Sequence, residues 1–248
     1  MKNIAPFLIA LGVLFACQPD GDSGSNDQQS LLSNSPMNEL TAQEKADGWQ
    51  LLFDGKTASG WHSYLRDSVA GWTVAEGLLS TVGGNGDLVS DETYENFELA
   101  VEWKVEPKGN SGIFFGVTED TMYHSTYETG PEFQIIDDAN YPDPLADNQK
   151  SGANYALHAP SELAARPAGE FNTTTIIVNQ GKVEHWLNGK KVVSYELWTP
   201  EWEAMVAKTK FASMPGYGKD KKGHLALQDH GDGVTFRNIK IKLLTPGP

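Results

Sequence analysis

Glu132-Phe133-Gln134-Ile135-Ile136-Asp137 places two carboxylates and an amide in one short run. An extended chain alternates its side chains, so Glu132 and Gln134 share one face and Phe133 and Ile135 the other. A bulge near Ile135-Ile136 brings Asp137 onto the polar face as well. Such a cluster suits acid/base work on a sugar, with Glu132 as the leading proton carrier. A solvated polar strand face is the plainer alternative. Leu225-Ala226-Leu227-Gln228-Asp229-His230 follows the same logic, with Gln228 and His230 on one face and Leu225, Leu227 and Asp229 on the other. Histidine exchanges protons near neutral pH, so His230 is a candidate partner for Glu132. A strand-end histidine holding the Gly231-Asp232-Gly233 turn fits equally well. Asn110-Ser111 precedes a strand and either caps a turn or meets sugar hydroxyls. Trp186 shares a face with Glu184 and offers a flat platform for a sugar ring or packs under a loop. His185 shares the face of Val183 and Leu187 and reads as a core histidine. No HExxH, CxxC or phosphate-cradling glycine loop is present, so no metal or nucleotide site is located.

The elements that position these residues read as β. Phe97, Leu99, Val101, Trp103 and Val105 alternate with polar or small residues, predicting a strand with one buried and one polar face. Shorter strands are predicted at 49–53, 71–81, 112–118, 131–137, 154–158, 173–179, 224–230 and 234–243. Asn188-Gly189 between 183–187 and 190–195 predicts a type I′ hairpin. Thr41-Ala42-Gln43-Glu44 is a capping box that predicts one or two helical turns. Thr199-Pro200-Glu201 predicts a helix to about residue 210. The segments 138–153 and 211–223 read as long loops of the functional kind. Many short strands with little helix point to an all-β, two-sheet jelly-roll sandwich.

The 248 residues carry a net charge of −14, which argues against a nucleic-acid partner. Lys2, an apolar run to Phe15, then Ala16 and Cys17 predict a lipoprotein signal peptide over residues 1–16 with Cys17 as the lipidated residue. Residues 17–38 read as a flexible tether and 39–248 as the folded domain. The expected location is the bacterial cell envelope, held to the outer membrane through the lipid anchor only.

Several segments in order carry a resemblance. They are Leu52-Phe53-Asp54-Gly55-Lys56 with Gly60-Trp61, Asn110 to Phe115, Gly130 to Asp137 and Arg166 to Asn172. His185 to Gly189, Leu227 to Gly231 and Phe236 to Lys240 complete the series. Together, over about residues 47–244, they resemble the 3-keto-disaccharide hydrolase family. Gly116 stands where many relatives have Arg, and Phe171 where Trp is common. The resemblance implies a concanavalin A-like lectin/glucanase sandwich acting on an oligosaccharide or glycoside already oxidised at C3. It implies abstraction of the C2 proton, elimination of the C1 substituent and hydration. Glu132 and His230 would carry protons, while Asp137, Gln134, Gln228 and Asn110 would position groups or steady the oxyanion. A divalent metal is the other way to steady it, and the spacing locates none. The 132–137 run is also similar to the Glu-x-Asp-x-x-Glu strand of laminarinase-like glucanases, with Gln134 breaking the charge pattern. Retaining hydrolysis by Glu132 and Asp137 is one alternative. A non-catalytic carbohydrate-binding lipoprotein is the other.

Overall fold

The computed structural model describes Met1 and residues 37–245. Cys17, the leader after Met1 and the tether up to residue 36 lie outside the described residues. The fold begins at the last residue assigned to the tether. Asn38 is buried, its backbone N–H donates to Asn238 Oδ1 at 2.6 Å, and its Oδ1 accepts from Asn238 N at 2.9 Å.

Two antiparallel sheets form the sandwich. The larger contains β1 (Trp49–Leu51), β3 (Trp72–Ala75), β4 (Leu78–Thr81), β6 (Phe97–Val105), β9 (Asn172–Asn179), β10 (Lys182–Leu187), β11 (Lys190–Glu196) and β13 (Val234–Leu243). Its order is β11-β10-β9-β6-β13-β4-β3, with β1 also on β13. The smaller contains β2 (Trp61–Ser63), β5 (Leu88–Tyr94), β7 (Asn110–Val117), β8 (Glu132–Ile136) and β12 (Gly223–Leu227), in the order β2-β5-β12-β7-β8. Leu79, Leu99, Val101, Trp103, Ile176 and Phe236 face Leu88, Ile113, Phe133, Ile135, Leu225 and Leu227 in one core. Each such side chain contributes about 1.5–3 kcal/mol on burial. A helix α1 (Ala42–Ala46) starts at the Thr41/Glu44 capping box. A second helix, α2 (Pro200–Val206), starts at Thr199 and ends earlier than expected, with a separate 3₁₀ turn at Lys210–Ser213. The hairpin turn has φ of 51° at Asn188 and 79° at Gly189, the positive pair a type I′ turn demands.

The sandwich corrects several expectations. The 71–81 segment is a hairpin, β3 and β4, because Glu76 and Gly77 both take positive φ. The 154–158 segment is a turn carrying isolated bridges only, with Ala156 at φ 61°. β6 has no solvated face: Glu98 and Glu102 are buried, and Arg237 donates to Glu102 at 2.7 Å while Lys242 pairs with Glu98. The bulge at Ile135-Ile136 does not form. The β7–β8 register runs unbroken from Phe114↔Glu132 to Asn110↔Ile136, which leaves Asp137 beyond the strand end.

The outer face of the smaller sheet carries a small apolar cluster of Val89, Phe114, Val117 and Ala226. The same register sets Glu132, Gln134, Gly112 and Gln228 on that face. β8 is the edge strand, yet its edge is covered. Gln134 N donates to Ala153 O at 3.1 Å and Gly152 N to Gln134 O at 2.9 Å. The long 138–153 loop therefore returns to pair with β8 and hides its open backbone.

Candidate active site

A cavity of about 390 Å³ opens at one end of the outer face, lined by Tyr64, Asp87, Tyr127, Gln228 and His230 among others. Its wall is built around Asp229. The Asp229 carboxylate accepts from Gly84 N at 2.9 Å, Asn85 N at 2.8 Å and Gly231 N at 3.0 Å. Gly83 lies so close to the Gly231 backbone that a side chain there would overlap it. This folds the glycine-rich loop onto the β12 end and delivers Asp87 to the cavity. One Asp87 oxygen accepts from Asp229 N at 2.9 Å, and the other accepts from the Thr126 hydroxyl. Burial pushes the Asp87 carboxyl above the ordinary range, against the pull of its two hydrogen bonds; the Asp229 charge adds to the rise and His230 opposes it.

Glu132 lies two strands over from β12, across β7. Its carboxyl passes above Gly112, where a methyl group would overlap Oε1. Gly112 O in turn accepts from the backbone N of Gln228 in the cavity wall, at 2.9 Å. The Glu132 side chain is 6% exposed and, among the described residues, its carboxyl makes no hydrogen bond. Burial pushes it up to about 8; the charge of Lys210 pulls it down and that of Asp87 pushes it up further. Asp87 is thus in electrostatic reach of both Glu132 and His230.

A family model described as the 3-keto-alpha-glucoside-1,2-lyase-like domain matches residues 48–242, the whole of this frame. The chain belongs to that family. It is 33% identical to a 3-keto-disaccharide hydrolase of Bacteroides thetaiotaomicron, over 95% of this chain and 96% of the relative. It is 40% identical to a crystal structure of a candidate glycosyl hydrolase from Parabacteroides distasonis ATCC 8503, with a TM-score of 0.82 over 85% of this chain and all of that one. The lectin-type fold is shared with the VIP36 exoplasmic/lumenal domain, at 8% identity and a TM-score of 0.50 over 82% of this chain and 90% of that one.

Within this 3-keto-glucoside-lyase-like frame the residues expected from sequence separate. Gln228 and His230 line the cavity with Asp87, and Glu132 adjoins it. Gln228 Oε1 and Asn110 Oδ1 are buried without a hydrogen-bond partner among the described residues. The Gly231 turn is held by Asp229, which leaves the exposed His230 imidazole at the cavity. Asp137 does not join them. Its oxygens accept from Lys108 N at 2.8 Å, Ala139 N at 3.2 Å, Asn140 N at 3.1 Å and Asn140 Nδ2. Burial opposes ionisation there, but these donors outweigh it and lower the Asp137 carboxyl. Gln134 is spent on the covering loop, donating to Gln149 O at 3.2 Å. Trp186 sits in β10 of the other sheet, 8% exposed, with Nε1 on Glu184 at 2.9 Å, so it is no platform for this cavity. His185 is a core residue bonded to Gly152 O at 3.0 Å and pushed down to about 4 by burial. Gly116 has φ 64° beside the β7–β12 register shift.

Asp87, Tyr127 and Lys210 escaped the sequence reading. Asp87 follows a glycine run that carries no strand signal, and Lys210 reads only as the end of the predicted helix, whereas it opens a separate 3₁₀ turn. The other end of the face holds a second histidine–carboxylate group. His62 Nδ1 meets Asp91 at 2.7 Å and Nε2 meets Glu119 at 2.8 Å. Burial disfavours the imidazolium, but the two hydrogen bonds raise it overall. Among the described residues no three His, Cys, Asp or Glu side chains gather to hold a metal ion.

Proposed function

We propose that this protein is a carbohydrate-active enzyme that cleaves glycosides oxidised at C3, by elimination across C1–C2 followed by hydration. The observation that carries this reading is Glu132, a buried carboxyl that accepts no hydrogen bond among the described residues and lies over Gly112, whose carbonyl holds the Gln228 wall of a sugar-sized cavity. Family membership and the name of the Bacteroides relative support the substrate class.

A C3 ketone acidifies the C2 proton. Ionised Glu132 takes that proton, the C–H electron pair becomes the C2=C3 bond, and O3 becomes an enolate oxygen. Its raised pKa makes the ionised form a stronger base than an ordinary carboxylate. The enolate then reforms the C3 carbonyl, creates C1=C2 and breaks the C1–O bond. His230 protonates the departing oxygen. Water adds at C1 of the enone, giving net hydrolysis. Gln228 offers its amide to sugar hydroxyls. The rings of Tyr64 and Tyr127 provide apolar faces for sugar C–H groups.

Matched assays on a 3-keto-glucoside and its unoxidised parent test the reading. Turnover of the oxidised sugar alone, lost in Glu132→Gln, is expected. Cleavage of the unoxidised parent would favour conventional hydrolysis, and calorimetric binding without turnover would favour a lectin-like role. We further propose that Cys17 anchors the protein to the cell envelope. Incorporation of an alkynyl fatty acid by the natural chain and not by Cys17→Ala is the expected result.

A further inference from the structure

An enolate needs a positive partner, and the residues given that task by sequence are neutral amides or an aspartate. Lys210 supplies what they lack. Six other lysines, Lys150, Lys190, Lys191, Lys219, Lys240 and Lys242, are paired with carboxylates. The Lys210 ammonium has no such pairing among the described residues. It stands over aromatic rings instead, 4.6 Å from the centre of Tyr155, 5.2 Å from Phe211 and 5.6 Å from Tyr127. Ring faces orient a cation without cancelling its charge, as a carboxylate would. The mount is rigid. The Thr209 hydroxyl caps the 3₁₀ turn by accepting from Phe211 N at 3.2 Å, and Phe211 is buried in a stack on Tyr217 with ring centres 3.8 Å apart. One of the rings, Tyr127, lines the cavity, and the backbone of Tyr155 is joined to that of Glu132, its N–H donating to Glu132 O at 3.1 Å.

We propose that Lys210 is a catalytic residue that meets substrate O3 and takes up the negative charge formed there as Glu132 removes the C2 proton. The proposal rests on the enolate reading above and adds the group that stabilises it. As the C2–H pair becomes C2=C3, the C3 carbonyl pair moves onto O3 beside the ammonium. When the C3 carbonyl reforms and the C1–O bond breaks, that charge leaves with the departing oxygen and is quenched by its proton. Lys210 stays protonated throughout, so no proton is gained or lost at this position.

The full mature chain, with Lys210→Met and Lys210→Arg variants, is assayed on a 3-keto-glucoside. Losing one oxyanion partner lowers kcat by about 10²–10³-fold. KM stays within about threefold, because the ground-state carbonyl is uncharged. The arginine variant is expected to recover at least about tenfold of the loss, since it keeps the charge. A second substrate, 3-keto-1,5-anhydroglucitol, has no leaving group at C1, so exchange of its C2 proton with D₂O reads the deprotonation alone. That exchange is expected to fall by the same factor. The carboxyl ¹³C signal of Glu132 is expected to titrate at higher pH in Lys210→Met, with no substrate present. An active natural enzyme whose Lys210→Met variant keeps kcat within threefold, or loses only KM, overturns the proposal alone. A natural enzyme that neither turns over nor exchanges overturns the enolate reading and the proposal with it. An unmoved Glu132 midpoint removes Lys210 from the site whatever the kinetics show.

Discussion

The two ends of β8 carry the same functional group in opposite surroundings. At the start of the strand Glu132 is buried, accepts no hydrogen bond among the described residues, and is pushed up to about 8. Just past its end Asp137 is also buried, yet it accepts from three backbone N–H groups and the Asn140 amide, which lower it. Burial alone therefore does not decide what a carboxylate does; the donors around it do. A satisfied carboxylate ties a turn. An unsatisfied one leaves its lone pairs open, as the proposed base role requires. The outer face repeats the lesson with histidine, for His62 has both nitrogens occupied by carboxylates while His230 lies open at the cavity.

The sharpest way to break this contrast is to neutralise each carboxylate in turn. Glu132→Gln is expected to lower kcat on a 3-keto-glucoside by about 10³-fold, within the usual span for a lost proton carrier. Asp137→Asn is expected to stay within a few-fold of the natural enzyme in the same steady-state assay. Equal losses would erase the distinction. In the natural enzyme the base form of Glu132 is the active one, so kcat is expected to climb with pH up to about 8, and because His230 must still carry its proton no plateau is expected above it.

Stability supplies the next contrast, with opposite signs at the two ends. Glu132 holds its proton in the folded chain up to about 8 but releases it near the ordinary value of 4.5 when unfolded. The folded state thus binds more protons between those values, and stability declines there as pH rises, by about 1.4 kcal/mol per pH unit. Glu132→Gln is expected to lack that decline and to melt higher than the natural protein at pH 8, as read by calorimetry. Asp137 behaves in reverse. Its lowered carboxyl stabilises the fold above 3.8, and this contribution is lost as pH falls through its folded value. Asp137→Ala is expected to cost about 2–3 kcal/mol in urea unfolding at neutral pH, because several buried donors lose their acceptor. The smallest effect is expected at the far end of the face, where His62→Ala leaves kcat within about twofold by the same assay.

The sequence made β6, β13 and the Asn188-Gly189 hairpin legible because each follows a local rule of period or turn chemistry. β5 obeys no such rule. Leu88, Val89 and Ser90 are all buried, the residues after them drift into solvent, and the Ser90 hydroxyl donates to Glu92 O at 2.7 Å. With β5 unread, Asp87 had no strand to stand on. Glu132, Gln228 and His230 were singled out by motif and alternation and lie in or next to the cavity wall, whereas Asp137 was drawn in by a bulge that the unbroken β7–β8 register excludes. Lys210 was invisible for another reason. Its meaning lies in the rings of Tyr127 and Tyr155, which distant parts of the chain bring to it.

The knot around Asp229 sets a schedule as well as a shape. Its bonds to Gly84 and Asn85 join residues 145 and 144 positions apart, and the bond from its N–H to Asp87 spans 142. Contacts of such long sequence separation form late, since the intervening chain must first be closed into a loop. During synthesis the wall of the cavity has nothing to fasten to until residue 229 of the 248 has emerged. A chain that stops short of this point also lacks β13, the strand that joins β6 to β4 and β1 in the larger sheet, so the sandwich and the cavity wall are completed together.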